Sequence, residues 1–273
     1  MSPSKTRLAP TRIADETYLI HDHQGEGTAP AVVQINAMLI RGQEPVVVDT
    51  GAAVNREQYL ADLFGLVEPR DVRWVFVSHD DHDHVGNLEA VMTVCPNATL
   101  VTTWFAMERL ACSGLAVPPH RWRWVGDGES FAAGDRTLVA LRPPLYDSPT
   151  TRGLLDPTTG VYWASDCFAT PVPAPARLVD DLDPDFWARG FAQFQQWNSP
   201  WFALVDEGRY QAQIDRLAGY GIETIAGCHT PVVGSTFVGA AFDLLRGVPS
   251  AAPTPEPGQP DLEAMLSAMS LAA

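Results

Sequence analysis

The sequence predicts an α/β fold (α+β by some schemes) in which sheets pack together and helices lie outside them. Three observations predict it. From residue 31 to residue 112, short β-branched runs alternate with segments of helical spacing. From residue 121 the pattern changes to short strands with Gly-Asp turns, and a second set of helical segments follows. A length of 273 residues with 46% hydrophobic content is enough for a sizeable core, which we read as one domain.

The runs TYLIH and AVVQINAMLIR read as strands, and EPVVVDTG as a short β-branched strand stopped by Gly51. A helix is expected from Asn55, an N-cap residue type, through REQYLADLFGL. RWVFVSH is then a strand, LEAVMTV a helix, ATLVTT a strand and WFAMERLACSG a helix. Beyond them, RWRWVGDGESFAAGDRTLVALRPP holds short strands and GVYWASDCF another. Helices cover 184–219, IETIAGCHT follows, and a final helix of the domain falls near 236–246. GVPSAAPTPEPGQP is Pro-rich, and DLEAMLSAMSLAA has the apolar spacing of a short helix. The chain therefore divides into a flexible N-terminus (1–14), the domain (15–248), and a Pro-rich linker with a short C-terminal helix (249–273). That last helix reads as a frayed or self-docking tail.

A formal net charge of −15 without a Lys/Arg run disfavours nucleic acid and anionic membrane surfaces as partners. The segment MSPSKTRLAPTR lacks the apolar core of a signal peptide, and no run approaches the roughly 18 apolar residues that span a bilayer. A soluble, cytoplasmic protein is expected. Cys95, Cys112, Cys167 and Cys228 are scattered without a CxxC pair, so buried free thiols are expected rather than a disulfide framework or a zinc knuckle.

Residues 77–87, VSHDDHDHVGN, place three histidines and three aspartates in six consecutive positions. A strand that ends in this stretch releases its side chains at a sheet edge, where α/β folds bind ligands. His79, Asp81 and Asp83 alternate and can converge, while Asp83 and His84 open the next helix. A solvated acidic loop gives no reason for histidines at both ends, whereas His and carboxylate clusters commonly bind metals.

The stretch His79-Asp80-Asp81-His82-Asp83-His84 resembles the first motif, His-x-His-x-Asp-His, of the metallo-β-lactamase fold superfamily. Asp81 stands where the hydrolytic members have the second histidine, and a carboxylate there marks the di-iron branch, the flavodiiron and oxygen-binding di-iron proteins. VVVDTG, ASDCF and IAGCHTPV resemble that family's strand-Asp-Thr-Gly, bridging aspartate and last histidine. LYDSPTTRGLLDPTTGVYWASDCF is similar to the flavodiiron stretch that ends in Asp-x-Phe. The resemblance covers most of residues 15–248 and implies a four-layer αββα sandwich of metallo-β-lactamase type. It implies one metal on His79 and Asp81, a second on Asp83, His84 and His229, and Asp166 bridging both. Asp166 after VYWAS and His229 after ETIAG both follow strands, which agrees with that placement. Oxygen donors at Asp81, Asp83 and Asp166 shift preference toward iron, or manganese, over zinc. Three carboxylates against two divalent ions leave about one positive charge. Asp49 is expected to orient a ligand from behind, and His82 to face solvent or the pocket rim.

The family's third histidine falls at Pro144 in this register, and no histidine lies between His120 and His229. Asp147 could supply an oxygen in its place or serve only as a turn-former before Ser148 and Pro149. Tyr146 could offer a phenolate or a hydrogen bond, and His120, His21 or His23 could reach in from loops, although His21 and His23 read as a surface hairpin. Asp83 and Tyr146 are the candidate catalytic residues. Trp187, Phe191 and Phe194, at i, i+4 and i+7, read as a helix face on the core, or as the lining of the metal pocket that the resemblance implies. Cys167 and Cys228, each beside a proposed ligand, are expected to face the opposite way as core thiols.

The resemblance implies a di-iron protein that binds or reduces O2 or NO. Flavodiiron proteins carry a fused flavodoxin-like domain, and no FMN phosphate loop is visible after residue 248, so the expectation is either an electron-transfer partner protein or a protein that senses or carries oxygen instead. The alternative is a metallo-hydrolase, with zinc or manganese among its metals, that opens a small ester, lactone, thioester or phosphoester with metal-bound hydroxide. Asp81 and the absent third histidine weigh against it. A non-catalytic relic is disfavoured, because unpaired buried carboxylates are costly. A homodimer is kept open.

Overall fold

The computed structural model describes residues 6–27, 29 and 31–272. In chain order its first strands are β1 (Thr11–Ala14), β2 (Thr17–Ile20), β3 (His23–Gln24), β4 (Val33–Gln34), β5 (Ala37–Ile40), β6 (Val46–Val48), β7 (Trp74–Phe76), β8 (Thr99–Thr102) and β9 (Trp122–Trp124). They are followed by β10 (Ser130–Ala133), β11 (Arg136–Leu141), β12 (Gly153–Asp156), β13 (Val161–Trp163), β14 (Thr224–Gly227) and β15 (Thr230–Val233). The α-helices are α1 (Arg56–Phe64), α2 (His82–Val85), α3 (Leu88–Val94), α4 (Trp104–Cys112), α5 (Pro184–Asn198), α6 (Glu207–Ala218), α7 (Ser235–Gly247) and α8 (Gln259–Ala272).

A seven-stranded sheet has the order β1-β2-β5-β6-β7-β8-β9, and a six-stranded sheet runs β10 to β15 in sequence order. The inner strands β5, β6, β12, β13 and β14 are buried at nearly every position because both faces of each sheet are covered, whereas the edge strands β1, β9 and β10 are partly exposed. Met38, Ile40, Val48 and Phe76 meet Leu138, Leu154 and Trp163 between the two sheets. Leu39, Val47 and Val75 on the other face of the first sheet pack on Tyr59, Leu63, Leu88 and Val91 of α1 and α3. Tyr162 and Ile225 of the second sheet pack on Phe191, Ile214 and Leu245 of α5, α6 and α7. Three apolar layers between four layers of backbone make an αββα sandwich, the architecture expected. No helix among the described residues is long and apolar enough to cross a membrane.

The strands depart from the sequence reading at three places. AVVQINAMLIR is two strands, not one, because the chain leaves the small β3-β4 ribbon for the large sheet at buried Asn36, whose side-chain amide donates to the carbonyls of Gly227 (3.1 Å) and Thr230 (3.0 Å). Residues 11–14, expected within the flexible N-terminus, pair with β2 as an edge strand, while residues 1–5 of that segment lie outside the described residues. β12 is a strand that propensity did not mark, since only its register between β11 and β13 gives Leu154 and Leu155 a place to be buried.

Cys112, expected as a buried thiol, is exposed at the end of α4, and His21 and His23, expected on the surface, are buried although His23 opens the β3-β4 ribbon. Both histidines continue from β2 into the sandwich edge and are 6% and 3% exposed. His21 Nε2 lies 2.9 Å from Thr11 Oγ1, and burial, followed by the charge of Arg177, holds its pKa down at about 4. A histidine whose folded value lies below the unfolded 6.5 stabilises fully above that pH and loses its contribution as pH falls toward 4. The loss amounts to about 3 kcal/mol. In His21→Gln the urea midpoint is expected to decline less than in the parent between pH 7 and about pH 4.5. Parallel declines would show that His21 is as easily protonated folded as unfolded.

Candidate metal centre

Four loops meet at one rim of the sandwich for a topological reason. β6 and β7 run parallel in one sheet, β13 and β14 run parallel in the other, and the side chains that follow their C-terminal ends share one crevice. Asp49 follows β6, His79 follows β7, Asp166 follows β13 and His229 follows β14. The helical turn α2 adds Asp83 and His84, with Asp81 at its N-cap, and Thr50 Oγ1 pins it by donating to the carbonyl of His84 (2.9 Å).

Seven of the expected ligands fall into two groups that share one carboxylate. His79 Nε2 is 3.7 Å from Asp81 Oδ2, 3.7 Å from Asp147 Oδ2 and 3.7 Å from Asp166 Oδ2. On the other side, Asp166 Oδ1 is 2.9 Å from His84 Nε2 and 3.4 Å from His229 Nε2, which is 3.2 Å from Asp83 Oδ2. Donors about 2.1 Å from a common ion stand roughly 3–4 Å apart, so these spacings suit a metal in each group. His79 Nε2, His84 Nε2 and Asp166 Oδ1 are buried and make no hydrogen bond despite their proximity. Buried polar atoms are ordinarily satisfied, so three orphans facing one another fit atoms aimed at ions.

The far side of each imidazole is tied down. His84 Nδ1 lies 2.8 Å from Asp49 Oδ2, His229 Nδ1 lies 2.6 Å from the carbonyl of Gln34, and His79 Nδ1 lies 3.1 Å from Ser165 Oγ. At His84 and His229 the acceptor puts the ring proton on Nδ1 and leaves the Nε2 lone pair pointing into the group. Asp49, expected behind the ligands, also accepts from the Ser78 amide (2.7 Å), Ser78 Oγ (2.8 Å) and Trp163 Nε1 (2.9 Å). Ser78, Ser165, Trp163 and the Gln34 carbonyl carry no mark in the sequence; only Ser78 and Ser165, each just before an expected ligand, were close to a signal.

Electrostatics follow from four carboxylates and three imidazoles in one crevice. Burial alone would raise the Asp166 carboxyl, but His84, His229 and His79 together outweigh it and hold it far below the usual carboxylate range. Asp83 is likewise pushed up by burial and drawn down further by its bond to His229. Burial disfavours charge on His84 and His229, yet the Cys228 sulfur and Asp166 beside them hold both rings well above the ordinary histidine value. Asp147 moves the other way, raised by burial and by Asp166 and Asp81 against the pull of His79.

The remaining expectations divide. His82 is exposed at the rim of a cavity that Asp83 and His229 also line. Trp187 and Phe191 are core residues, whereas the Phe194 ring lies 5.5 Å from that of His229. Tyr146 is not with the cluster: its ring packs on Trp201 (4.8 Å) and under Arg142 (5.6 Å). His120 is exposed in the turn before β9. Cys167 and Cys228 both lie in the core as expected, but Cys228 does not turn fully away from the crevice, and its sulfur also comes within reach of Asp83, His84 and His229. Strand alternation fails at Cys228 because the register of β14 on β15 shifts between Ile225 and Gly227, just before it.

Gly86 is where the motif loop meets its support. A Cβ there would lie 2.3 Å from the amide nitrogen of Ala53 and 2.7 Å from the carbonyls of Gly51 and His82, all backbone atoms that cannot step aside. Gly86→Ala is therefore expected to cost about 2 kcal/mol in urea unfolding, and a variant as stable as its parent would show that the loop has slack.

Comparison with known proteins gives the same architecture. The chain is 28% identical over 134 residues to diflavin flavoprotein A 1 of Synechocystis sp., covering 49% of this chain and 23% of that protein. It is 26% identical over 148 residues to the nitric oxide reductase of Moorella thermoacetica, covering 54% of this chain and 37% of that one. The chain thus spans well under half the length of these curated relatives. Rubredoxin oxygen:oxidoreductase from the anaerobe Desulfovibrio gigas superposes with a TM-score of 0.78 at 19% identity, over 90% of this chain and 62% of that one. The family described as ODP family beta lactamase matches residues 33–229, a span that begins just before the carbonyl that steadies His229 and ends on His229 itself, and the chain belongs to that family.

Proposed function

We propose that the chain holds two iron ions in this crevice and uses them to bind and reduce O2 or NO with electrons from a redox partner. The observation that carries the reading is the sharing of Asp166 between two groups of ligand atoms. His79, Asp81, Asp147 and Asp166 would hold one ion, and Asp83, His84, His229 and Asp166 the other. Asp147 then takes the role left by the absent third histidine, and four carboxylates bring two divalent ions close to neutrality. A set richer in carboxylate oxygen than in imidazole suits iron or manganese better than zinc. The printed activities of the relatives, a nitric oxide reductase and an oxygen oxidoreductase, support the choice of diatomic. Bound ions would supply electrons and open coordination positions. The protein's own part is placement: Asp49 and the Gln34 carbonyl fix ring orientation, and the Phe194 ring lies against that of His229.

One observation favours a second reading. A cavity of about 860 Å³ walled by Val33, Ile35, Ala52 and Val54 reaches Asp83 and His229, and a diatomic needs far less space. Hydrolysis of an ester, lactone, thioester or phosphoester at the same centre would use that volume. Protein purified from cells supplied with both iron and zinc separates the two. About two irons per chain and a visible band that changes on exposure to O2 are expected, whereas colourless zinc protein with esterase activity would overturn the iron reading. Asp147→Ala is expected to lower metal content by about one ion per chain. Full content in that variant would remove Asp147 from the ligand set.

A further inference from the structure

The sequence shows no run of basic residues, yet the fold collects arginines from distant positions around one cavity away from the metal crevice. The cavity holds about 500 Å³ between the 142–146 segment and α6, and its wall includes Arg142, Tyr146, Trp201, Leu204, Arg209 and Tyr210. Arg216 stands beside it, paired with Asp127 at 3.2 Å. Arg152 is only 7% exposed and spends one guanidinium nitrogen on its neighbour's carbonyl, that of Thr151 (2.6 Å). Its Nε, and that of Arg142, are buried without a hydrogen-bond partner. Among the described residues, no carboxylate pairs with the side chains of Arg142, Arg152 or Arg209. The two acidic residues of the wall are engaged: Asp127 accepts from the Arg142 amide (2.7 Å) and from Arg216, and Asp206 caps α6 by accepting from the Arg209 amide (2.8 Å). Burial, and then the charge of Arg142, push the Arg152 guanidinium below its usual pKa, against the pull of Asp127 and Tyr146. A buried guanidinium without a counter-ion, as at Arg152, is costly, and the repulsion of half-buried Arg142 adds to the cost.

The rest of the wall is flat and apolar. Tyr146 and Trp201 stack at 4.8 Å with 43° between their planes, Pro143 and Pro144 lie beside them, and Leu204 at the mouth is 88% exposed. The volume lies within the range of about 300–1,000 Å³ common for small-molecule sites. We propose that this cavity binds a dianion carried on a planar ring, an aromatic phosphate monoester by chemical class. The phosphate would sit between Arg142 and Arg209 of the wall, with two charges against the excess of unpaired guanidiniums, and guanidinium forks match its oxygens. The ring would cover Tyr146, Trp201 and Leu204, which a bare phosphate leaves wet.

The test is calorimetric titration of the full chain with phenyl phosphate, inorganic phosphate and phenol. One saturable site for phenyl phosphate, at least tenfold tighter than for either fragment, is expected. Arg209 is exposed, so Arg209→Gln keeps the fold and is expected to weaken phenyl phosphate tenfold or more, as is Arg142→Gln. Trp201→Leu is expected to erase the preference over inorganic phosphate. Asp83→Asn, in the metal crevice, is expected to leave the affinity unchanged, so failure of the metal reading does not touch this one. Absence of saturable binding, unchanged affinity in Arg142→Gln and Arg209→Gln, or loss of binding in Asp83→Asn would each overturn the assignment.

Discussion

Asp166→Ala is expected to take bound metal from about two ions per chain to nearly none, while Asp81→Ala removes about one. The difference rests on position. Among the described residues Asp166 is the one carboxylate within 3.7 Å of all three imidazoles, with Oδ2 toward His79 and Oδ1 toward His84 and His229. Asp81 approaches only His79, and its side chain is 45% exposed, so water can replace its oxygen. Without Asp166, His79 and His84 face each other at a centroid distance of 3.9 Å with no carboxylate between them, and each half of the site loses a donor. Metal that binds only the folded chain raises its stability by mass action. A chelator should therefore lower the Tm of the parent and leave that of Asp166→Ala nearly unchanged. Elemental analysis gives the direct answer, and equal metal content in Asp166→Ala and the parent would end the bridging assignment.

How much of the site could be read from the chain depends on how each residue is brought there. His79, Asp81, Asp83 and His84 are consecutive enough for strand-to-helix geometry to dictate convergence, and Asp166 and His229 follow apolar runs that could only be strands. Their meeting needed the parallel pairs β6-β7 and β13-β14 to end at the same rim, and the family resemblance supplied that pairing where periodicity could not. Asp147 stayed open between ligand and turn-former because residues 142–152 have no periodic pattern, and its approach to His79 depends on packing from elsewhere, including Trp201, whose Nε1 donates to the Tyr146 carbonyl at 2.7 Å. The same contact drew Tyr146 away from the metal crevice. Cys228 is the core thiol expected, but its reach into the crevice was missed because alternation assumes an unbroken register, and the irregularity beside Gly227 is invisible in IAGCHT. The arginine cavity was out of reach for a similar reason: its members span positions 142 to 216, and only the fold makes them neighbours.

Asp49→Asn is expected to weaken metal binding in the Asp83–His84–His229 group by 10- to 100-fold, although Asp49 touches no ion in the proposed arrangement. The backbone at Asp49 has φ +55, a left-handed conformation that Asn tolerates as well as Asp, so the substitution adds little strain. Its effect comes from donor bookkeeping at one oxygen. Oδ2 accepts from His84 Nδ1, Trp163 Nε1 and Ser78 Oγ, while Oδ1 accepts from the Ser78 amide. An amide keeps one acceptor and presents an N–H in place of the other, so it cannot receive His84, Trp163 and the Ser78 amide together. If the oxygen stays with the Ser78 amide, the new N–H confronts His84 Nδ1 and drives the ring proton to Nε2, the atom aimed at the metal, and the lone pair is lost there. Asp49→Ala is the harsher change. It removes the acceptor of four buried donors, leaving at least the Ser78 amide and Trp163 Nε1 without a partner at a fully buried site, and puts a residue with Cβ but no polar group at positive φ, for an expected loss of about 3–5 kcal/mol in urea unfolding. The two variants thus separate ring orientation from stability: competition with a chelator reads the first in Asp49→Asn, and denaturation reads the second in Asp49→Ala. Parent-like metal affinity in Asp49→Asn would mean that packing against His79 and His229, rather than the carboxylate behind it, fixes the imidazole of His84.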